Sequence, residues 1–242
     1  MSGLSRRVMA DISGNLLLDS LPAATRRACL DLSEAVDLAA GDEIVVQGER
    51  SKSAFFPASA VCSLTMVLQS GDKAECANVG AEGMIGVSLI ATPPRSAFSA
   101  IVQVSGVAYR VPLASVSELL QQHRALRDAV LVYTGFALNV VGRSVACNSY
   151  HSIVERLARW LLVLHDRLDR EELALTHDML SQVLAATRPR VSLAAAKLRS
   201  LRTIDYQRGV IRILDRKRLQ EVACECYETT RRYHQLLPWL PR

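Results

Sequence analysis

The chain has 242 residues, half of them hydrophobic, and a formal net charge of +5 at pH 7. This length suits one large domain or two modest ones, each with its own core. No stretch reaches the roughly 18 to 20 uninterrupted apolar residues that span a bilayer, and Asp11 and Asn15 interrupt the apolar run of residues 8–18. We therefore expect a cytoplasmic protein with neither a membrane span nor a secretory signal.

The cysteines are Cys29, Cys62, Cys76, Cys147, Cys224 and Cys226. They are too sparse for the disulfide framework of a small secreted protein. Only Cys224 and Cys226 are clustered, and their one-residue gap matches neither the CxxC redox motif nor a usual zinc pair. We therefore expect reduced, inert thiols, and we predict no metal site and no cofactor.

Positive charge is concentrated in the last third of the chain. Residues 1–150 carry 12 Lys/Arg and 13 Asp/Glu, whereas residues 151–242 carry 17 and 11. Within residues 188–218 there are ten basic side chains and two acidic ones. Such a density indicates a surface for a polyanion. The alternative is a basic face that is merely solvated.

Short apolar runs, each closely followed by turn residues, fill the chain from Leu38 to Val111. The runs are Ile44–Val46, Ala60–Leu68, Ala74–Val79, Ile85–Ile90, Ala100–Val104 and Val107–Val111. Runs of this length, bounded by Gly, Pro, Asp and Ser at regular spacing, predict an antiparallel sandwich or barrel.

Helical periodicity replaces the turns from Ala114 onward. The apolar positions, at mixed spacings of three and four, are Leu119, Leu120, Leu126, Val130, Tyr133, Phe136, Ala137, Val140, Val141 and Val145. This stripe predicts a long helix that pairs with the same helix of a second copy of the chain. The alternative is burial against the chain's own β-domain.

The last third begins with a helix through residues 153–164, followed by two short helices around a corner at residues 185–187. Thr176 is placed to cap the first short helix, and its apolar positions are Met179, Leu180, Val183 and Leu184. Thr187 or Arg188 caps the second, with Pro189 in its first turn, where a missing N–H costs nothing.

The second short helix is amphipathic in an unusual way, because small residues separate long cations on its outer face. The outward positions are Arg188, Pro189, Ser192, Leu193, Ala196 and Arg199, with Arg190 and Lys197 at the edges. A slim, polar helix face of this kind fits the DNA major groove. Many unrelated helical hairpins share this spacing, which leaves a purely structural pair of helices as the alternative.

Two short strands joined at a glycine follow the basic helix. Ile204–Tyr206 and Val210–Leu214 flank the turn at Gly209 and predict a small hairpin with Arg208 at its tip. Such a hairpin is placed to act as a wing, with Arg208 reaching a phosphate. A closing helix is predicted from Arg216 to Glu228.

The stretch Leu175–Leu219, LTHDMLSQVLAATRPRVSLAAAKLRSLRTIDYQRGVIRILDRKRL, resembles the winged helix-turn-helix of the Crp/Fnr superfamily of bacterial transcription regulators. The terminal ACECY, Ala223–Tyr227, is similar to the ending of one branch of that superfamily. The segment Leu38–Ile90 resembles the family's cyclic-nucleotide-binding β-roll. The likeness runs from about Leu16 to Tyr227.

The resemblance implies an α+β fold in three parts. These are an amino-terminal antiparallel β-roll over residues 1–113, a long dimerisation helix over 114–150, and a winged helix-turn-helix over 151–242. It also implies a homodimer that binds a palindromic operator in double-stranded DNA and works with RNA polymerase.

Carried over residue by residue, the family's cap and base-contact positions fall on Thr187 and Arg188, and the next ones on Pro189, Ser192, Leu193 and Ala196. Arg188 is suited to bidentate contact with guanine, and Leu193 to apolar contact with a thymine methyl group. Ala185 stands where the family turn usually has glycine.

In relatives that bind cyclic nucleotides, backbone N–H groups and an arginine hold the phosphate, and a glutamate accepts the ribose hydroxyl. The matching positions for an effector are Gly83, Gly86, Arg95 and Ser96. Val87 stands at the glutamate position and accepts no hydrogen bond, so we expect that cyclic AMP is not the effector. Two possibilities remain: the β-roll binds another effector, or it is only a scaffold for the dimer.

A hypothesis from another class is a ligand-sensing or redox-sensing module whose signal enters through the β-roll or through Cys224 and Cys226. An enzyme has little support, because the histidines are spread over separate predicted helices. Neither the Gly-x-Ser-x-Gly nor the HExxH motif occurs.

Overall fold

The computed structural model describes residues 13–91, 95–168 and 172–240. These residues form two compact units that exchange segments of the chain. The first unit comprises the residues up to 64, residues 78–137 and those from 237 onward. The second comprises residues 65–77 and 138–236.

The first unit combines short helices with β-strands. Its helices are α1 (Leu16–Asp19), α2 (Ala23–Asp31), α3 (Val87–Ala91) and α4 (Leu113–Gln122). The strands are β1 (Glu34–Leu38), β2 (Glu43–Val45), β3 (Ser53–Pro57), β4 (Val61–Val67), β5 (Lys73–Val79), β6 (Ser99–Val104) and β7 (Gly106–Pro112). The outer part of the β4–β5 hairpin, residues 65–77, belongs to the second unit.

The strands form one sheet in the order β1-β7-β3 and another in the order β2-β6-β4-β5. The pairs β1–β7, β3–β7 and β2–β6 are antiparallel. Phe56, Val102 and Val111 are among the core side chains, each at most 2% exposed. The α+β class and its antiparallel amino-terminal sheets are therefore confirmed.

Two details of the β region differ from the prediction. Strands β1 and β3 have no counterpart among the predicted runs, and in β1 only Leu38 is buried, so the apolar signal is weak. The predicted strand Ile85–Ile90 is wrong. Ile85 makes an isolated bridge with Phe55, and Gly86 then turns the chain with a φ of +105° into α3.

The predicted helix over residues 114–150 is two helices. Helix α4 ends at Gln122, His123 adopts an extended conformation (φ −119°, ψ 99°), and α5 runs over Arg124–Tyr150. Of the predicted stripe, the side chains buried along α5 are Leu126, Val130, Tyr133 and Phe136. This part of the stripe is therefore buried within the chain. That outcome matches the alternative of burial, not the expectation that these residues pair with a second copy.

Helix α5 is long and apolar enough to cross a membrane when judged only by length and composition. Its most apolar 18-residue stretch has a mean hydropathy of 1.4 and is 22% buried. The expectation that no uninterrupted apolar run of this length occurs is unchanged, because charges such as Arg143 lie within the helix. A single helix of this kind is weak evidence for a membrane span, since core helices of soluble proteins pass the same test.

The second unit surrounds the buried helix α6 and contains the carboxy-terminal elements. In chain order they are α6 (Ile153–Leu168), β8 (Glu172–Ala174), α7 (His177–Val183), α8 (Arg188–Ser200), β9 (Ile204–Gln207), β10 (Val210–Ile213), α9 (Arg216–Val222) and α10 (Cys226–Gln235). Trp160 of α6 is 1% exposed, and its indole N–H donates to both carboxylate oxygens of Glu75, at 3.1 and 3.2 Å. That bond fixes the outer part of the β4–β5 hairpin within this unit.

The predicted closing helix Arg216–Glu228 is also two helices. Helix α9 ends at Val222, Ala223 is extended (φ −68°, ψ 148°), and α10 starts at Cys226. The residues that follow α10 return to the first unit, where Leu237 is 3% exposed and the indole N–H of Trp239 donates to the carbonyl of Glu82 at 2.9 Å.

Candidate nucleic-acid interface

Helices α7 and α8 form the predicted helix-turn-helix. The hydroxyl of Thr176 accepts the N–H of Met179 at 3.2 Å and caps α7, as predicted. Thr187 is the N-cap residue of α8 in extended conformation, although its side chain makes no capping hydrogen bond. Pro189 lies in the first turn, where no intrahelical N–H bond is lost.

The inward face of α8 matches the predicted one. Its buried residues are Val191, Ala194, Ala195 and Leu198, each at most 2% exposed. These side chains pack α8 on α6 and α7. The small alanines allow a close approach between helices, and the opposite face is left to solvent.

The outward face of α8 carries most of the predicted DNA-contacting residues. The exposed ones are Thr187, Arg188, Pro189, Arg190, Leu193, Ala196 and Lys197. Leu193 is 71% exposed and therefore accessible to a partner. Ser192 is half-buried, and its hydroxyl lies 3.2 Å from Nδ1 of His177.

Arg188 is already held at the surface by an acidic neighbour. Its Nε lies 2.9 Å from a carboxylate oxygen of Asp178, and both side chains are about 60% exposed (64% and 60%). An exposed ion pair of this kind contributes only about 0 to 1 kcal/mol. The pair therefore orients the guanidinium at the start of α8 and is easily exchanged for another acceptor.

The predicted hairpin is present. Strands β9 and β10 pair in antiparallel register, and the turn between them is formed by Arg208 (φ +49°) and Gly209 (φ +80°). Two successive left-handed residues are typical of a two-residue type I′ hairpin. Arg208 is exposed at the tip, and β8 adds a third strand beside β10 that the sequence pattern did not predict.

The corner between the two helices is strained. Ala185 has a φ of +44°, in the left-handed region that costs an L-residue roughly 1 to 2 kcal/mol. This is the position at which the family turn usually has glycine. The chain therefore makes the same corner with a residue less suited to it.

The basic block of residues 188–218 is a surface feature. All its lysines and arginines are exposed except Arg216, which is half-buried. Exposed cations on one helix and the hairpin that follows it favour binding of a polyanion.

Two of the predicted effector positions, Gly83 and Gly86, have packing and backbone roles in the β-domain. Gly83 leaves room for the ring of Tyr133, which a Cβ at that position would overlap. Its carbonyl accepts a hydrogen bond from the side chain of Asn15 at 2.8 Å. Gly83 is therefore required for packing, and Gly86 for its left-handed turn (φ +105°).

Arg95 and Ser96 make their hydrogen bonds within the domain. A guanidinium N–H of Arg95 donates to the carbonyl of Gly48 at 2.8 Å. The hydroxyl of Ser96, 6% exposed, donates to the carbonyl of Phe98 at 2.6 Å. A cavity of about 310 Å³ in this domain is lined by Val45, Glu49, Arg50, Lys52, Phe55 and Arg110 among others, and by none of the four predicted positions.

One group of chemically reactive side chains was not found from the sequence. Cys147, His151, Cys224 and Cys226 converge in the second unit, with their potential ligand atoms all within 4.8 Å of one another. The spacing Cys147-x3-His151 is a possible sequence signal, but nothing in the sequence pairs it with two cysteines more than 70 residues further on.

Two family models match this chain: the cyclic nucleotide-binding domain at residues 35–123 and the Crp-like helix-turn-helix domain at residues 155–222. Neither describes an enzyme. With the two folds in this order along the chain, the molecule is a transcription regulator of the helix-turn-helix class. It belongs to the Crp/Fnr family.

Solved structures of the same family share the fold. FixK2 from Bradyrhizobium japonicum is 16% identical with a TM-score of 0.68, and the match covers 79% of this chain and 98% of that one. The c-di-GMP responsive regulator CLP of Xanthomonas campestris is 12% identical with a TM-score of 0.68, covering 79% and 99%. A CRP/FNR family regulator from Thermus thermophilus is 22% identical with a TM-score of 0.60, covering 78% and 98%. Comparison with curated protein sequences gave no match.

Proposed function

We propose that this regulator acts in the cytoplasm as a homodimer that recognises a palindromic operator in double-stranded DNA. The observation that carries the proposal is the exposed face of α8, on which small residues separate the cations Arg188, Arg190 and Lys197. A helix of that shape fits the major groove, and the wing residue Arg208 is suited to a backbone phosphate.

The second, exposed stripe of α5 supports the homodimer. Leu131, Leu138 and Val145 follow one another at intervals of seven and are 64%, 72% and 64% exposed. Gly135 and Gly142 lie between them, and a Cβ at either glycine would meet no atom within 4 Å. This alternation of four and three residues is a heptad seam, and its glycines allow a partner helix to approach closely.

A twofold dimer places one α8 in each of two successive major grooves. The half-site centres are then about 34 Å apart, or about 10 base pairs. Arg188 reads guanine in each half-site, and Leu193 contacts a thymine methyl group. RNA polymerase is proposed as a partner on family membership alone, and no effector is assigned.

The test is a selection of bound duplexes from a random pool by the full-length protein, combined with a measurement of its mass in solution. The expected result is a dimer and an imperfect palindrome with half-site centres about 10 base pairs apart. A protein that stays monomeric and shows no sequence preference at moderate salt would overturn the proposal.

A second candidate function is redox or ligand sensing, and the convergence of Cys147, Cys224 and Cys226 favours it over a bare scaffold. Operator affinity measured with and without a mild oxidant or a cyclic nucleotide is the test. A reproducible change in affinity supports a coupled site, and unchanged affinity rejects it.

A further inference from the structure

Four side chains of the second unit form a compact group that the DNA-binding surface does not use. They are Cys147 near the end of α5, His151 just after it, and Cys224 and Cys226 at the junction of α9 and α10. We call them the Cys3His cluster. Its three cysteines are 0%, 5% and 1% exposed, so the sulfur atoms are shielded from solvent.

The backbone brings these residues together at two chain breaks. His151 lies one helical turn after Cys147, and its N–H donates to the carbonyl of Cys147 at 3.1 Å. In one continuous helix, Cys224 and Cys226 would point about 200° apart. Cys224 instead lies outside both helices, between the extended Ala223 and the start of α10 at Cys226, and both cysteines are buried in the same group.

The four potential ligand atoms lie within 4.8 Å of one another, and two of the pairs have the separations of a single tetrahedral ion. Sγ of Cys147 lies 3.6 Å from Sγ of Cys224, and Sγ of Cys226 lies 3.7 Å from Nδ1 of His151. With metal–sulfur bonds of about 2.3 Å and metal–nitrogen bonds of about 2.0 Å, tetrahedral geometry separates neighbouring ligand atoms by roughly 3.5 to 3.8 Å. Multinuclear clusters hold their ligands further apart, so the cluster suits one ion.

A carboxylate completes the arrangement around His151. Nε2 of His151 lies 3.0 Å from a carboxylate oxygen of Glu225, the residue between the two cysteines. A metal-binding histidine typically donates its other N–H to such an acceptor, which fixes the tautomer and turns the free lone pair toward the metal. The sequence Cys-Glu-Cys thus supplies two sulfur ligands and the residue that orients the nitrogen ligand.

We propose that Cys147, His151, Cys224 and Cys226 bind one zinc-type divalent cation in a closed tetrahedral site. Four protein ligands leave no open coordination position, which makes the site structural and not catalytic. Each thiol that binds gives its proton to solvent as the metal–sulfur bond forms, so no oxidant or reductant takes part. The ion joins the end of α5 to the start of α10.

The first experiment measures bound metal in the reduced, full-length protein by mass spectrometry of the elements. The expected result is one zinc ion per chain. Replacement with Co²⁺ should give intense visible bands typical of tetrahedral coordination and a sulfur-to-cobalt charge-transfer band in the near ultraviolet. A weak octahedral spectrum, or less than stoichiometric metal after incubation with excess Zn²⁺ or Co²⁺, would overturn the proposal.

Variants then identify the ligands. Cys224→Ser should lose the ion, whereas Cys76→Ser, which changes a half-buried thiol of the same unit outside the cluster, should keep it. His151→Cys should keep the ion and raise the charge-transfer intensity by about one third, as expected for four sulfur ligands in place of three. Unchanged binding in Cys224→Ser contradicts the site.

The His151→Cys variant separates a ligand from a residue that only fills space, because it predicts a gain of signal in a folded protein. A disulfide between Cys147 and Cys224 is the competing outcome. Thiol labelling of freshly lysed cells, followed by peptide mass spectrometry, detects it. If this disulfide is found in protein without bound metal, the cluster is a redox-active cysteine pair and the proposed metal site is wrong.

Discussion

The recognition helix α8 and the β-domain each carry an arginine that family resemblance assigns to a ligand, Arg188 to guanine and Arg95 to a cyclic phosphate. They differ in how those arginines are engaged. Arg188 lies at the surface in an exposed ion pair with Asp178, whereas Arg95 donates to the carbonyl of Gly48. Both arginines are exposed, so the difference in burial lies at Ser96, which is buried and bonded to the carbonyl of Phe98, whereas the residues at the start of α8 are exposed.

The energetic consequence follows from burial. Exchanging an exposed ion pair for a phosphate or a base costs about 1 kcal/mol or less. Breaking the bond of the buried Ser96 hydroxyl without replacing it costs about 1 to 3 kcal/mol. A motif position therefore predicts binding only where the fold leaves its polar atoms free to bind.

The largest expected effect tests whether α8 acts in pairs. Leu138→Glu places like charges on both sides of the α5 seam, so the protein should become monomeric and lose operator affinity by about 10²- to 10⁴-fold. Sedimentation and DNA-binding titrations measure the two effects. Leu236→Glu, at a leucine of nearly equal exposure, should change neither. A dimeric Leu138→Glu variant would place the dimer interface elsewhere.

The next effect concerns base readout. Arg188→Ala should relax the preference at one base pair of each half-site by about 1 to 3 kcal/mol, because the bidentate contact with guanine is lost. Selection of bound duplexes by the variant measures the change. Lys217→Ala removes the same charge from exposed α9 and should leave the consensus intact. If Arg188→Ala selects the unaltered consensus, Arg188 does not read that base.

The wing should contribute charge without specificity. Arg208→Ala should weaken binding to all sequences and reduce the slope of log affinity against log salt by about 0.9. Binding titrations over a range of salt concentrations give the slope, and Arg208→Lys should restore it. An identical slope for Arg208→Ala would exclude the wing from the interface.

The corner of the helix-turn-helix makes a smaller, stabilising prediction. Ala185→Gly should raise the free energy of unfolding by about 0.5 to 1 kcal/mol, because glycine adopts the observed left-handed backbone without strain. Urea denaturation measures this change. The neighbouring Ala186 has no left-handed φ, so Ala186→Gly should destabilise the protein. Destabilisation by Ala185→Gly would contradict the strained corner.

The last prediction is that a cyclic nucleotide does not change DNA binding. Saturating cyclic AMP should leave operator affinity unchanged, since Val87 cannot accept the ribose hydroxyl and Arg95 and Ser96 are bonded within the domain. Titration of a labelled operator in the presence and absence of the nucleotide is sufficient. A reproducible shift would show a functional cyclic-nucleotide site despite these bonds.

The sequence predicted those elements whose signals are local. Turn residues delimited most strands, Thr176 marked the start of α7, and Gly209 marked the hairpin. The helix breaks at His123 and Ala223 carry no proline or glycine, so periodicity ran through them.

The same limit explains what was missed in the candidate sites. The predicted stripe of α5 contained the four buried residues and, from the exposed seam, only Val145. It left out Leu131 and Leu138, because Gly135 and Gly142 weakened the apolar signal on that face. Cys147 and Cys224 are 77 positions apart and meet only in the folded chain. Spacing rules for metal pairs do not reach that far.

The exchange of segments between the two units determines how the protein can be divided. A fragment that starts at residue 151 would lack Glu75, the acceptor of the buried Trp160 indole. It would also carry Leu237 and Trp239, whose neighbours belong to the other unit. Cutting the chain at a single domain boundary would therefore remove the hydrogen-bond acceptor of Trp160 and expose Leu237 and Trp239. To express the DNA-binding half separately, residues 65–77 would have to be added back and the chain ended before residue 237.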